Sequence, residues 1–150
     1  MSSARIRPIA LCLFRRNGSV LVNEAHDFVK NQSFCRPIGG GIEFGETGVA
    51  AVEREVREEL SCEVTNLQLV GTLENIFTYN GSPGHEIVLI YDGEFMDRSL
   101  YKRTSIPGVE SNGQPFQAVW RGLDAFSPLL PLYPHGLIEM LLSSPRDRAL

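Results

Sequence analysis

The sequence predicts an α+β fold, a mixed β-sheet flanked by helices. Strand-like segments lie on both sides of a central stretch, residues 47–60, whose apolar residues recur at helical spacing. A second helical segment, 135–143, closes the chain. No internal repeat or low-complexity segment interrupts this order, so the layers are expected to form an α+β sandwich. At 150 residues the chain suits one domain over 1–150, with a tail at 144–150 expected to fray.

Residues 5–14, rich in Ile, Leu and Phe, read as a strand. Asn17-Gly18 is a type I′ hairpin signal, and Ser19–Asn23 returns as a second strand. Residues 24–34 are polar and mixed and read as a loop. Gly39-Gly40-Gly41 follows; three glycines in a row read as a break from regular structure that allows close backbone approach. Thr47 is placed to cap the helix 47–60, with Val49, Val52, Val56 and Leu60 as its apolar stripe. Strands are expected at 66–79, 85–95 and Phe116–Arg121. Between the last two, 97–115 reads as a long loop, and loops of that length often carry function.

The composition narrows the function. The net charge of −4 argues against a broad basic surface for nucleic acid. The charge is also uneven. Residues 40–63 hold seven carboxylates against two arginines, a net −5, and the rest of the chain, with 12 basic and 11 acidic residues, nets +1. Three widely spaced cysteines (Cys12, Cys35, Cys62) without a C-x-x-C pair suit free thiols in a reducing compartment. The apolar run Pro8 to Phe14 is too short to cross a membrane and lacks a cleavage site. The expectation is a cytoplasmic protein. No sustained heptads are present and a homodimer is allowed.

On a helical wheel Glu55, Glu58 and Glu59 share one roughly 100° face beside the apolar stripe. Like charges three and four residues apart cost about 0.2–0.5 kcal/mol per pair. Local rules broken in this way mark functional sites. Carboxylates with no His or Cys nearby suit a hard divalent cation, Mg²⁺ or Mn²⁺. The glycine run just upstream brings backbone groups that suit a metal or a phosphate. A solvated acidic helix face is the alternative.

From Gly40 to Cys62 the chain resembles the Nudix box, Gly-x5-Glu-x7-Arg-Glu-U-x-Glu-Glu-x-Gly-U, where U is aliphatic. Gly40, Glu46, Arg54, Glu55, Val56, Glu58 and Glu59 stand in register. The chain departs at Ser61, where the box has glycine, at Cys62 in the last aliphatic place, and at Ile38, where a proline usually precedes the glycines. Ser61 can end the helix at positive φ at a cost of about 1 kcal/mol. The flanking strand order, and Trp120 in a late strand, are also similar to the family's α/β/α sandwich.

The resemblance implies hydrolysis of a nucleoside diphosphate linked to another group, dependent on Mg²⁺ or Mn²⁺. It implies that Glu55, Glu58 and Glu59 bind metal, that the Gly39 carbonyl adds a ligand, and that Arg54 orients the carboxylates and pairs with Glu46. Gly40 is implied as structural. The base that takes the water's proton lies in the box or outside it. Glu110, in the loop 97–115, is the outside candidate, and Glu86 the alternative.

Other residues carry weaker signals. Arg5, Arg7 and Arg36 suit phosphate contacts. Phe77 and Tyr79 share a strand face and suit either stacking on a base or packing in the core. His85 and Glu86, as strand neighbours, point to opposite faces. Tyr79 lies 17 residues past Cys62, as in family members that act on dinucleoside polyphosphates, and Phe77 stands where a proline resembles an ADP-ribose preference. The expected partner is a small-molecule nucleotide. Two other classes stay open: a nucleotide sensor on the same fold, which would be expected to lose box carboxylates, and an acidic protein-interaction surface, which would tolerate Glu→Gln changes.

Overall fold

The first strand, β1 (Arg7–Leu13), alternates strictly. Ala10, Cys12 and the following Phe14 join one apolar cluster, and Ile9, Leu11 and Leu13 join the other. This is the period of a strand buried on both faces, so it needs a layer on each side. The computed structural model describes residues 4–143 and supplies both layers. The expected frayed tail, 144–150, lies outside the described residues.

β2 (Arg15–Arg16) turns through Asn17-Gly18 into β3 (Ser19–Asp27). Both turn residues have positive φ, 48° and 74°, as the hairpin signal demands. β4 (Gln32–Gly41) returns antiparallel to β3. The polar stretch 24–34 is thus two paired strand ends and a short turn, not a loop. Cross-strand bonding makes it so: His26 lies opposite Ser33, and their side chains meet at 2.9 Å. Asp27 accepts from the Val29 and Lys30 N–H groups at the turn. These pairings leave no apolar alternation to detect.

β5 (Val64–Tyr79) and β6 (Ser82–Phe95) form a long hairpin. β7 (Ser105–Val109) pairs with β8 (Pro115–Gly122), after a 3₁₀ turn at Arg98–Lys102. The stretch 97–115 therefore holds regular structure and is not one long loop. Pro107 hid the strand; it sits in β7, an edge strand, where a missing N–H is tolerated. The eight-stranded sheet runs β5-β6-β1-β4-β3-β8-β7, with β2 on β3. β1 and β6 are parallel, the other named pairs antiparallel.

α1 (Gly48–Leu60) covers one face through Ala51, Val52, Val56 and Leu60. α2 (Leu137–Ser143) covers the other through Leu137 and Leu141. The mixed sheet flanked by helices is borne out. One stripe residue is corrected: Val49 is 39% exposed, and Ala51 is buried instead. The first turn tucks Gly48 against the Tyr91 ring, so the inward face there carries Gly48 and Ala51. Glu55 and Glu59 fall in that same roughly 80° sector. No helix among the described residues is long and apolar enough to cross a membrane.

Candidate active site

The glycine run lies inside β4, paired with β1 as Leu11 to Gly39, Ala10 to Gly40 and Ile9 to Gly41. The expected break is not there; the expected close approach is. Gly39 has φ 150°, and a Cβ on it would run into the backbone carbonyl of Ala10. A Cβ on Gly40 would lie 2.6 Å from the Glu55 carboxyl carbon. The strand stays regular because each missing side chain is replaced by a neighbour pressed against it.

Arg54, midway along α1, ties the helix to the loop before it and to the end of β4. Its Nε donates to Glu46 at 2.7 Å, and its Nη2 donates to Glu46 at 2.9 Å and to the Gly41 carbonyl at 2.8 Å. Its Nη1 donates to Glu55 at 2.9 Å and to Glu58 at 3.3 Å. Glu46 also accepts from the Glu43 N–H. The Arg54 bond, helped by that N–H, holds the Glu46 carboxyl down to about 2. One planar guanidinium thus sets the loop, the glycine strand and the Glu55 carboxylate relative to each other.

A cavity of about 560 Å³ opens here. Gly39, Gly40 and Gly41 line it with Glu55, Glu59 and Glu110, together with Arg5 and Arg7. Both signs of charge therefore face one space. Burial, then the charges of Glu55, Glu110 and Glu58, push the Glu59 carboxyl up to about 8. Its Oε1 is buried with no hydrogen-bond partner. Glu110 arrives from the turn between β7 and β8, and Asn23 of β3 donates to it at 3.0 Å. No local signal marked Asn23, because its partner is 87 residues away.

Other expected residues lie elsewhere. Glu58 does not line the cavity; it is exposed at the helix's outer edge on Arg54. Its wheel position, about 60° beyond Glu55, carries it past the inward sector. Glu86 is buried, accepting from Arg36 at 3.0 Å and Asn75 at 3.3 Å. It lines a second cavity of about 540 Å³ with Arg36, Phe77 and Tyr79. Neither aromatic belongs to the two apolar clusters. Phe34 and Tyr133 also line this space and were not singled out in the sequence. The two cavities meet at Arg7 and Glu110, which line both.

Among the described residues no three His, Cys, Asp or Glu side chains are gathered closely enough to enclose a metal ion. The donor set still fits a hard divalent cation. It is all carboxylate, it adjoins backbone carbonyls, and it leaves a buried Glu59 oxygen without a partner.

The NUDIX domain family matches residues 5–135 of the chain. The chain belongs to the Nudix family. It is similar to the NAD-capped RNA hydrolase NudC of Pseudomonas aeruginosa, with 29% identity over 125 residues, 83% of this chain. The chain spans 39% of that relative's length. It also resembles the crystal structure of a MutT NUDIX hydrolase from Burkholderia pseudomallei, with a TM-score of 0.64 and 19% identity. That match covers 93% of this chain and 99% of the other. A MutT protein from Bacillus halodurans gives 0.61 at 18% identity, over 96% and 87% of the two chains. These two likenesses bear out the sandwich fold. The resemblance read from Gly40 to Cys62 is borne out at the level of the family, whose hydrolases generally use divalent metals.

Proposed function

We propose that this Nudix chain is a pyrophosphohydrolase that opens a phosphoanhydride bond in a nucleoside diphosphate linked to another group. The observation that carries this reading is the first cavity, where the Glu55 and Glu59 carboxylates sit beside the glycine strand and share one space with Arg5 and Arg7. Glu55 and Glu59 would hold Mg²⁺ or Mn²⁺ with Glu58 and the Gly39 carbonyl nearby, and the ion would neutralise the pyrophosphate and supply a water of lowered pKa.

The chain's own residues do the rest. Arg54 keeps Glu55 aimed at the glycine strand. Arg5 and Arg7 offer cations to the phosphate oxygens. The water oxygen bonds to one phosphorus, the bridging P–O bond breaks, and its electron pair leaves on the departing phosphate. The water's proton passes to a carboxylate, and Glu110, steadied by Asn23, faces the cavity for that role. The three unbridged cysteines support a reducing, cytoplasmic setting.

The test is a panel of nucleoside diphosphate compounds with Mg²⁺ or Mn²⁺, run beside Glu59→Gln. NAD-type dinucleotides and dinucleoside polyphosphates belong on it, the former because the NudC relative is named for NAD-capped RNA. The expected result is metal-dependent release of a nucleoside monophosphate or phosphate, lost by about a hundredfold or more in the variant. Equal turnover by Glu59→Gln would sink the site assignment. Tight nucleotide binding with no turnover would favour a sensor.

A further inference from the structure

The second cavity contains a feature that hydrolysis at the first does not require. Glu86 is 2% exposed yet lines a space whose other lining includes the rings of Phe34, Phe77, Tyr79 and Tyr133. Its Oε1 is fully engaged, accepting from Arg36 and Asn75. Its Oε2 has only Arg7 Nη1, at 3.8 Å, beyond hydrogen-bond range. That oxygen opens onto the cavity and has acceptor capacity for a donor presented there, and a charged acceptor makes the stronger kind of hydrogen bond. The surrounding rings favour a flat, aromatic-bearing group. Phe34 meets Tyr79 edge-on at 5.7 Å and Tyr133 at 5.5 Å, so the aromatic wall is already assembled. Arg7 is shared with the first cavity and lies toward Glu86, so phosphates placed at Arg7 would set their nucleoside beside Glu86.

We propose that the second cavity seats the substrate's nucleoside and that Glu86 Oε2 selects it by accepting from an N–H or O–H donor of that group. This rests on the nucleotide reading of the first cavity and adds a residue that recognises the nucleoside by its donors. Arg36 and Asn75 act as positioning residues that aim the carboxylate. The donor chemistry has two sources, the base edge or the ribose hydroxyls, and both would meet a carboxylate in the same way.

Calorimetry with ADP, GDP, CDP and UDP, on wild type and Glu86→Gln, tests this. At least one nucleotide binds, and the variant weakens the tightest by about tenfold or more. Two analogues of that nucleotide separate the sources, one without N–H donors on the base edge and one without the 2′ and 3′ hydroxyls. The analogue missing the contacted donor binds wild type about tenfold more weakly and binds wild type and variant alike. Should Glu86→Gln fail to fold, the analogues on wild type still decide, and equal binding of both overturns the proposal. Binding of none of the four nucleotides overturns it. So does a uniform loss across every nucleotide and analogue, the mark of a purely structural role. Turnover unaffected by Glu86→Gln removes the seat and leaves the hydrolase. Glu86-dependent binding without turnover leaves the seat and removes the hydrolase.

Discussion

Arg54 and Glu46 meet through two parallel hydrogen bonds, Nε to Oε2 at 2.7 Å and Nη2 to Oε1 at 2.9 Å. The same guanidinium reaches the Gly41 carbonyl and Glu55, so the pair sets the distance between the glycine strand and the helix. A lysine carries the charge but cannot form this fork. Arg54→Lys is expected to lower kcat or Mn²⁺ affinity by about 10–100-fold while the far-ultraviolet circular dichroism is retained. Full activity in that variant would mean the brace is not needed.

Gly39 and Gly40 are adjacent but fail differently. Gly40 has an ordinary φ, and its Cβ would displace only the movable end of Glu55. Gly40→Ala should therefore fold and lose activity by about tenfold or more, since a small misplacement of a reacting group is costly. Gly39 is at φ 150°, with the Ala10 backbone in the way. Gly39→Ala should destabilise by more than about 2 kcal/mol, read as a lower urea midpoint. The two effects, exchanged, would refute this account of the strand.

Ser61 ends α1 at φ 55° and ψ 38°, with its N–H bonded to the Arg57 carbonyl. A side chain in this left-handed conformation costs roughly 1 kcal/mol relative to glycine. Ser61→Gly should raise stability by about 0.5–1 kcal/mol and leave turnover unchanged. An unchanged or lower urea midpoint would count against it.

Without metal, the Glu59 carboxyl titrates near 8 against an ordinary 4.5, mainly because it is buried and then because Glu55 and Glu110 face it. The folded chain thus holds a proton that the unfolded chain releases. Its stabilisation is complete below about 4.5 and is lost as pH rises through about 8. Glu46 runs the other way: held near 2 first by Arg54, it contributes above 4.5 and fails as pH falls toward 2. In chelator, the urea midpoint should drop between about pH 5 and about pH 9. Glu59→Gln should flatten that slope, and Mn²⁺ should restore stability at the upper end. A slope that survives in Glu59→Gln would place the titration elsewhere.

Glu110 and Asn23 test the proton acceptor. Glu110→Gln should cut kcat by about 10²–10⁴-fold with KM little changed. Asn23→Ala should lower kcat less, because it removes the donor and keeps the carboxylate. A kcat within about tenfold of wild type in Glu110→Gln would return the base to the box.

Much of this chain was legible because the relevant signals are local. Thr47, Val52, Val56, Leu60 and the glutamates around Arg54 lie within a few helical turns, and one helix expresses them whatever surrounds it. The segments 24–34 and 97–115 were not legible in this way. His26 becomes a strand residue because Ser33 faces it, and Pro107 is tolerated because β7 is an edge. Neither fact is a property of the segment alone. The exposure of Glu58 belongs with these, since the wheel gives an angle but not where the neighbouring wall ends.

The sequence by itself determined the acidic helix, the glycine run before it and the apolar strand at 5–14, and with the first two the family. Those depend on spacing along one element. Only the tertiary structure decided which carboxylates face inward, that Glu110 reaches Asn23 from 87 residues away, and that Arg7, Arg36 and Asn75 converge on Glu86. It also turned a −5 window into an ordered site, with Arg54 taken up by Glu46 and Glu55 while Glu59 is left with an unmet oxygen. Charge can be counted along a chain, but burial and partnership come from what folding brings alongside, and these set the Glu59 proton and the Glu86 acceptor.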